Sequence, residues 1–283
     1  MDYENIVKKV SETLVTAGST FSDDKVRAYE RAIEKEKNPQ SRWVLEQILE
    51  NAHVAKINRG PLCDDTGIPH LYLEVGKNQM ISGEMLEAIH EGVAKGLRTL
   101  PGRPMAIKGN DVERLDQSGG LDEDSGALAA APIQIRNTDE EGIRLYVLME
   151  GGGPAIRGKD YRVFHKHSID VVVEEIVSWA KEAVAQLGCS PCTLAIGIGR
   201  SHYEAAAMMM EAQVHGNYDV QSELEQRITD EVNVARIGAL GLGGDVSVIG
   251  TFLKVGPQRA SGVRIVCLRP CCCFEPRMAY TDF

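Results

Sequence analysis

Apolar and charged residues alternate at helical spacing through the first part of the chain. Ile6, Val10, Leu14 and Val15 fall on one stripe, and Trp43, Leu45, Ile48, Leu49, Ala52 and Ile57 form another. The pattern predicts three helices over residues 4–58, with Ser22, ahead of Asp23 and Asp24, as the N-cap of the middle one. The period then shortens, and Ile68–Val75 reads as a strand. Ser82 caps a helix through Glu84–Leu97 that ends near Arg98, where Pro101, Gly102 and Pro104 break the pattern. Residues 106–128 are acidic and Gly-rich with little periodicity, which predicts a long surface or active-site loop. Ile133–Arg136 and Ile143–Met149 read as a hairpin joined at Asn137–Gly142. Beyond Glu150-Gly151-Gly152-Gly153-Pro154, which demands a sharp turn or a close backbone approach, an amphipathic helix covers His167–Leu187 and stops at Gly188. A buried strand Thr193–Gly199, helices Tyr203–Val214 and Glu223–Ile237, a Gly-rich turn at 238–244 and strands Val246–Val255 and Val263–Leu268 complete the reading.

Helices first, then strands mixed with helices, predict a mixed α/β fold: a helical N-terminal layer followed by a mixed sheet flanked by helices. No repeat or linker divides the chain. The expectation is one domain over residues 1–283, with a helical segment 1–58 and the α/β part in 59–283. Composition agrees, since 43% hydrophobic and 25% charged residues are ordinary for a globular protein. A net charge of -10 argues against nucleic acid or an anionic membrane as partner, so an anionic small substrate needs a local group of Arg or Lys. No leader or apolar span is visible, and a cytoplasmic location is expected.

The cysteines change the picture most. There are seven, an odd count that makes a disulfide framework a poor fit. Cys267 lies in an apolar run and reads as a core residue; Cys192 reads as a core or supporting thiol. The others sit at turns: Cys63 before a strand, Cys189 after a helix stop, and one of Cys271, Cys272 and Cys273 after a strand. Around Cys63, residues Asp64, Asp65 and Thr66 put two carboxylates and a hydroxyl beside the thiol on a turn bounded by Pro61 and Gly67. Structural zinc usually draws four N/S ligands from closely paired motifs, and only Cys189 and Cys192 are paired. Three dispersed thiolates suit a [4Fe–4S] cluster with one iron left open. Gly197 and Gly199 suggest a dinucleotide fingerprint, but no third Gly follows. Met208-Met209-Met210 reads as core packing.

Three motifs in this order resemble the class I fumarase / L-tartrate dehydratase family, and the α subunit of its two-subunit members most. They are Pro61-Leu62-Cys63-Asp64-Asp65-Thr66-Gly67, Gly188-Cys189-Ser190-Pro191 leading into Ile196–Gly199, and Cys273-Phe274-Glu275-Pro276-Arg277. Met149–Gly158 resembles the glycine loop of the tartrate dehydratase branch, and Ile237–Gly244 the family's late glycine loop. The resemblance implies a [4Fe–4S] hydro-lyase that adds or removes water on a small dicarboxylic acid of the tartrate or fumarate/malate type. It implies Cys63, Cys189 and Cys273 as cluster ligands, with Cys271 and Cys272 as alternatives for the third. It implies Asp65 as the catalytic acid or base, and substrate contacts from Asp64, Thr66, Arg98, Gly152 and Gly153; Arg157, a basic pair with Lys159 beside the Gly-rich loop, suits a dicarboxylate as well. Asp64 stands where the family usually has Gln, and the expected His before the last ligand is replaced by Gln258 and Arg259. The resemblance also implies a separate β subunit, in a heterotetramer. The alternatives are a non-catalytic iron–sulfur module and a zinc-stabilised structural or regulatory subunit.

Overall fold

The computed structural model describes residues 2–283. In chain order the elements are α1 (Tyr3–Ser19), α2 (Asp23–Lys35), α3 (Pro39–Asn58), β1 (Ile68–Gly76), α4 (Gly83–Thr99), α5 (Asp111–Leu115), β2 (Gln134–Thr138), β3 (Ile143–Glu150), α6 (Gly152–Arg157), β4 (Lys159–Phe164), α7 (Ile169–Leu187), β5 (Cys192–Gly199), α8 (His202–His215), α9 (Glu223–Asn233), β6 (Val248–Val255), β7 (Val263–Cys271) and β8 (Met278–Asp282). The fold is mixed α/β with a helical N-terminal region, as the patterning predicts. The chain divides into two compact units, one of residues up to Phe21, Ala52–Gly151 and Arg277–Phe283, the other of Ser22–Asn51 and Gly152–Pro276.

The first unit is a four-stranded sheet in the order β2-β1-β3-β8. Leu71 and Leu73 on β1 and Leu145 and Val147 on β3 share one face, because alternate residues of a strand point the same way. That face packs on Val7, Val10 and Leu14 of α1 and Ile89 and Val93 of α4. The two helices approach closely at Gly92 and Gly96, where an added Cβ would stand 2.6 Å from Val10 Cβ and 2.9 Å from Leu14 Cβ. The predicted hairpin does not form. β1 lies between its two strands, parallel to β2 and antiparallel to β3. Leu71, Tyr72 and Leu73 are buried in succession, so both faces of β1 are covered, as suits a central strand, whereas alternately exposed β2 suits an edge.

The second unit is a sheet in the order β4-β7-β5-β6. Every residue of β5 is buried. Gly197 allows α8 to lie directly on this strand: a Cβ there would come 2.0 Å from Ala205 O and 2.2 Å from Met209 N. The glycines of β5 therefore serve helix–sheet packing, the same need that Met208 and Met210 meet as core residues. Trp43 and Ile57, read from the periodicity as core, are 60% and 80% exposed, while Leu45, Ile48 and Ala52 are buried. Strand β4 escapes sequence reading because only Val163 of its six residues is buried. β7 runs three residues past its predicted end, to Cys271. Glycines 152 and 153 open the short helix α6 rather than an irregular turn.

Candidate active site

In the first unit, the loop at 60–67 is fixed from its backbone outward. Leu62 is buried and its N–H donates to Gly18 O at the end of α1 (2.9 Å). Thr66, also buried, donates through Oγ1 to Arg103 O at 3.1 Å. Gly67 has φ +82°, and a Cβ there would stand 2.6 Å from Arg277 Nη2 and 3.1 Å from the backbone of Glu150. That crowding explains why the turn ends in glycine. Arg277 is 3% exposed; Nη1 donates to Asp65 O (2.8 Å) and Nε to Met149 O (3.0 Å). One buried guanidinium thus joins the loop to the end of β3.

With its backbone held, the loop presents its side chains differently. Asp65 is half-buried and accepts from Gly67 N–H at Oδ1 (3.2 Å). Asp64 is exposed, 3.7 Å from Arg103 Nη1, and Cys63, half-buried, has Sγ 3.5 Å from Asp64 Oδ1. Arg98, at the end of α4, makes a two-pronged pair with Asp124 (Nε–Oδ1 2.9 Å, Nη2–Oδ2 2.7 Å). That hydrogen bond holds the Asp124 carboxyl below its ordinary range. The pair is exposed and ties α4 to the acidic loop predicted at 106–128.

In the second unit, two cysteine turns are joined. Gly188, at φ +77°, ends α7 and leads to Cys189, whose thiol is exposed. Cys273 N–H donates to Cys189 O at 2.9 Å. Ser190 is buried and donates to Gly238 O (2.7 Å), so the glycine loop at 237–244 braces the same turn. The Cys272–Glu275 turn is held in four ways: Glu275 N–H to Cys272 O (2.9 Å), Tyr29 Oη to Cys273 O (2.6 Å), Lys25 Nζ to Glu275 O (2.9 Å), and a buried Arg269–Glu275 ion pair at 3.0 Å. Cys271, fully buried at the end of β7, donates instead to Gln213 Oε1 (3.3 Å).

Electrostatics mark this turn. A hydrogen bond with Cys272 pushes the Cys273 thiol well above its ordinary value, followed by burial and by the nearby Cys272 and Cys189; Lys25 opposes them. Burial lowers Lys25 to about 8, against the pull of Cys272, Cys273, Cys271 and Glu275. Cys192 is fully buried, and desolvation raises its thiol. Arg157 donates through Nε to Gln186 O (3.0 Å) at the end of α7, and Lys159 stacks 4.3 Å over the Trp179 ring in its middle. Gly152 and Gly153 lie exposed at the start of α6.

The structure thus places Cys63, Asp64, Asp65, Thr66 and Arg98 in the first unit, and Gly152, Gly153, Arg157, Cys189 and Cys273 in the second. Cys189 and Cys273 are brought together; Arg157 and Arg98 are engaged by protein groups. Sequence reading missed Lys25, Tyr29 and Arg269, and gave Glu275 no role beyond its place in the last motif. One signal was available: Phe21, Lys25, Ala28, Tyr29 and Ala32 share helical spacing, which sets a lysine on an apolar stripe.

Among the described residues, no three His, Cys, Asp or Glu side chains are drawn together tightly enough for a single metal ion. A four-iron cluster makes a different demand, because each thiolate ligates a different iron and the sulfurs stand well apart. Cys189 and Cys273, joined through the backbone, and Cys272 next to Cys273 are soft donors that fit such a group in chemistry. No helix among the described residues is long and apolar enough to cross a membrane.

The fumarate hydratase (fumerase) family model matches residues 7–281. A protein of Methanocaldococcus jannaschii named "Putative L(+)-tartrate dehydratase subunit alpha" is 26% identical, with 96% of each chain covered. The L(+)-tartrate dehydratase subunit alpha of Escherichia coli K12 is 23% identical over 95% of this chain and 89% of its own. The subunit of the same name from Shigella boydii matches equally.

Proposed function

Since the chain belongs to the fumarate hydratase (fumerase) family, and is thereby a hydro-lyase, we propose that it is the α subunit of a [4Fe–4S]-dependent enzyme acting on a small dicarboxylic acid of the tartrate or fumarate/malate type. A separate β subunit completes the enzyme, in a heterotetramer. The reading is supported by the subunit names of the relatives. It is carried by one observation: the backbone bond from Cys273 to Cys189, which joins two cysteine turns far apart in sequence.

Cys63, Cys189 and Cys273 are the thiolates we assign to the cluster, with Cys272 the remaining alternative for the third, because Cys271 is spent on Gln213 in the core. When bound, the cluster supplies an open iron that acts as a Lewis acid toward a substrate oxygen. Asp65 takes or gives the proton at a carboxylate oxygen, its main chain fixed by Arg277 and its Oδ1 oriented by Gly67 N–H. Arg98 receives a substrate carboxylate in exchange for Asp124. The pair is exposed and screened by solvent, so the exchange costs little. Arg157 offers the rest of its guanidinium while Nε stays on Gln186 O. Asp64 is free to lean toward a hydroxyl, Thr66 holds the loop through Arg103, and Gly152 and Gly153 contribute backbone N–H groups.

The test is anaerobic purification with iron and sulfide counted per chain, for the parent and for Cys63→Ser, Cys189→Ser, Cys271→Ser, Cys272→Ser and Cys273→Ser. About four of each is expected, lost with Cys63, Cys189 and one of Cys272 and Cys273 but kept with Cys271→Ser. Dehydration of tartrate and hydration of fumarate are then assayed with and without the β subunit. No iron after strict anaerobic reconstitution overturns the reading.

A further inference from the structure

We infer that Leu240 is a positioning residue for the Cys189 ligand: the glycine loop holds its side chain as an apolar wall that limits water at that sulfur. The inference rests on the cluster reading above, which assigns Cys189 as a ligand, and adds to it a residue outside the cysteine turns. Leu240 has φ +49° and ψ 26°, the left-handed region that a residue with a Cβ enters at a cost. Gly241 beside it takes φ +73° without that cost.

The surroundings fix the loop in this form. Glu36, buried just past α2, accepts from Asp245 N–H (2.9 Å) and Val246 N–H (3.0 Å). Asn38 Nδ2 donates to Leu242 O (3.0 Å) and Gly243 O (2.9 Å), and Ser41 Oγ also donates to Gly243 O. Leu240 N–H donates to Ser190 O at 3.0 Å, one residue from Cys189, and Ser190 Oγ donates back to Gly238 O at 2.7 Å. Two bonds therefore lock the loop onto the Cys189 turn.

A residue in a sparsely populated conformation persists where its surroundings over-determine it, and such residues gather at functional sites. The core does not need this one. Ala239 is fully buried and anchors the loop, whereas Leu240 is 48% exposed. Asparagine has much the same size and visits the left-handed region more readily, so the backbone alone would favour it. The leucine is thus explained by its apolar side chain, which is carried on a backbone bonded to the Cys189 turn. The Cys189 thiol is itself exposed. An apolar group beside a ligating sulfur controls solvent access, and with it the retention and potential of the metal group.

The experiment uses the full chain as parent, Leu240→Asn and Leu240→Met, with Leu240→Gly in place of Leu240→Asn where the latter does not fold. In the reduced, metal-free chain, the rate of Cys189 labelling by N-ethylmaleimide is read by peptide mass spectrometry, with the urea midpoint. In the chain reconstituted anaerobically, with its β subunit where that is needed, iron release to a ferrous chelator and the midpoint potential are read. Leu240→Asn is expected to label Cys189 at least threefold faster and to release iron at least fivefold faster. Its potential should rise, because water stabilises the more highly charged reduced form, while its urea midpoint stays at or above the parent's. Leu240→Met, apolar but with the same backbone cost, should stay within twofold of the parent in both rates. Parent-like rates and potential in Leu240→Asn overturn the inference while the cluster assignment stands, and so does an equal shift in Leu240→Met. Faster labelling with unmoved iron release and potential overturns it too, since the wall then acts on the empty turn alone. A parent chain without iron overturns the cluster assignment itself, and with it the role at a ligand.

Discussion

The buried ion pair between Arg269 and Glu275 is the part of the cysteine turn whose energetics are best defined. Its side chains are 7% and 1% exposed, with Nη2 and Oε2 3.0 Å apart. With the charge centres about 4 Å apart, the attraction is roughly 4 kcal/mol at the effective dielectric that suits protein sites. Desolvation of both ions offsets most of that gain, so the pair contributes little net stability while intact. Breaking it is another matter. Arg269→Met takes the guanidinium partner from the buried Glu275 carboxylate, a loss of about 3–5 kcal/mol. Arg269→Met combined with Glu275→Met removes both charges and is expected to lie within about 1 kcal/mol of the parent, or above it. Urea unfolding of the parent, the two single variants and the double variant closes a thermodynamic cycle. The expected coupling energy is large, several kcal/mol by the same reasoning. Additive single losses, with coupling below about 0.5 kcal/mol, would refute the claim that these ions matter chiefly to each other. The same cycle bears on the site. The Glu275 carbonyl receives Lys25, so a double variant that folds well but releases iron readily would separate fold stability from the placement of the sulfurs.

Other outcomes follow from particular contacts. Gly197→Ala puts a Cβ 2.0 Å from Ala205 O and 2.2 Å from Met209 N, backbone atoms of a helix that cannot turn aside. A loss of about 3 kcal/mol or more is expected, seen as a fall in Tm of roughly 6–12 °C; Gly60→Ala, with open space around it, serves as the control. Gly188→Ala places an L-residue at φ +77° and is expected to cost about 1 kcal/mol in the urea midpoint, without change in m. Asp219 accepts from Arg27 and Arg31, and these bonds depress its carboxyl. A depressed carboxyl stabilises the fold above its unfolded pKa and loses that contribution as pH falls through the folded value. Asp219→Asn should therefore be less stable than the parent at neutral pH, with the gap in urea midpoint closing once the medium is more acidic than that value. Arg98→Ala should raise KM for the dicarboxylate more than it lowers kcat, whereas Asp124→Ala, which frees the same guanidinium, should not raise KM.

The amino-acid sequence by itself determined the elements and the chemistry of their ends. Helical spacing marks α1, α4 and α7, a continuous apolar run marks β5, and the cysteines at 63 and 189 are legible as turn residues because proline and glycine bound them. These are local properties, written in spacing and in backbone preference. Neighbour relations are not local. Nothing in the period of β2 or β3 says that β1 lies between them; backbone pairing on both of its edges decides that. Trp43 and Ile57 obey the helical period yet face outward, since periodicity names a face without saying what meets it. The conformational demand of Gly197 is invisible until α8 lies on it. The supports of the cysteine turn belong to the same class. Lys25 and Tyr29 lie some 250 residues from their carbonyl partners, and Arg277 reaches back 212 residues to Asp65. Long-range burial alone turns an unremarked lysine into a buried tether of the cysteine turn. Sequence fixes which groups are available, and tertiary packing decides which are stripped of water, and a charge gains strength only where water is excluded.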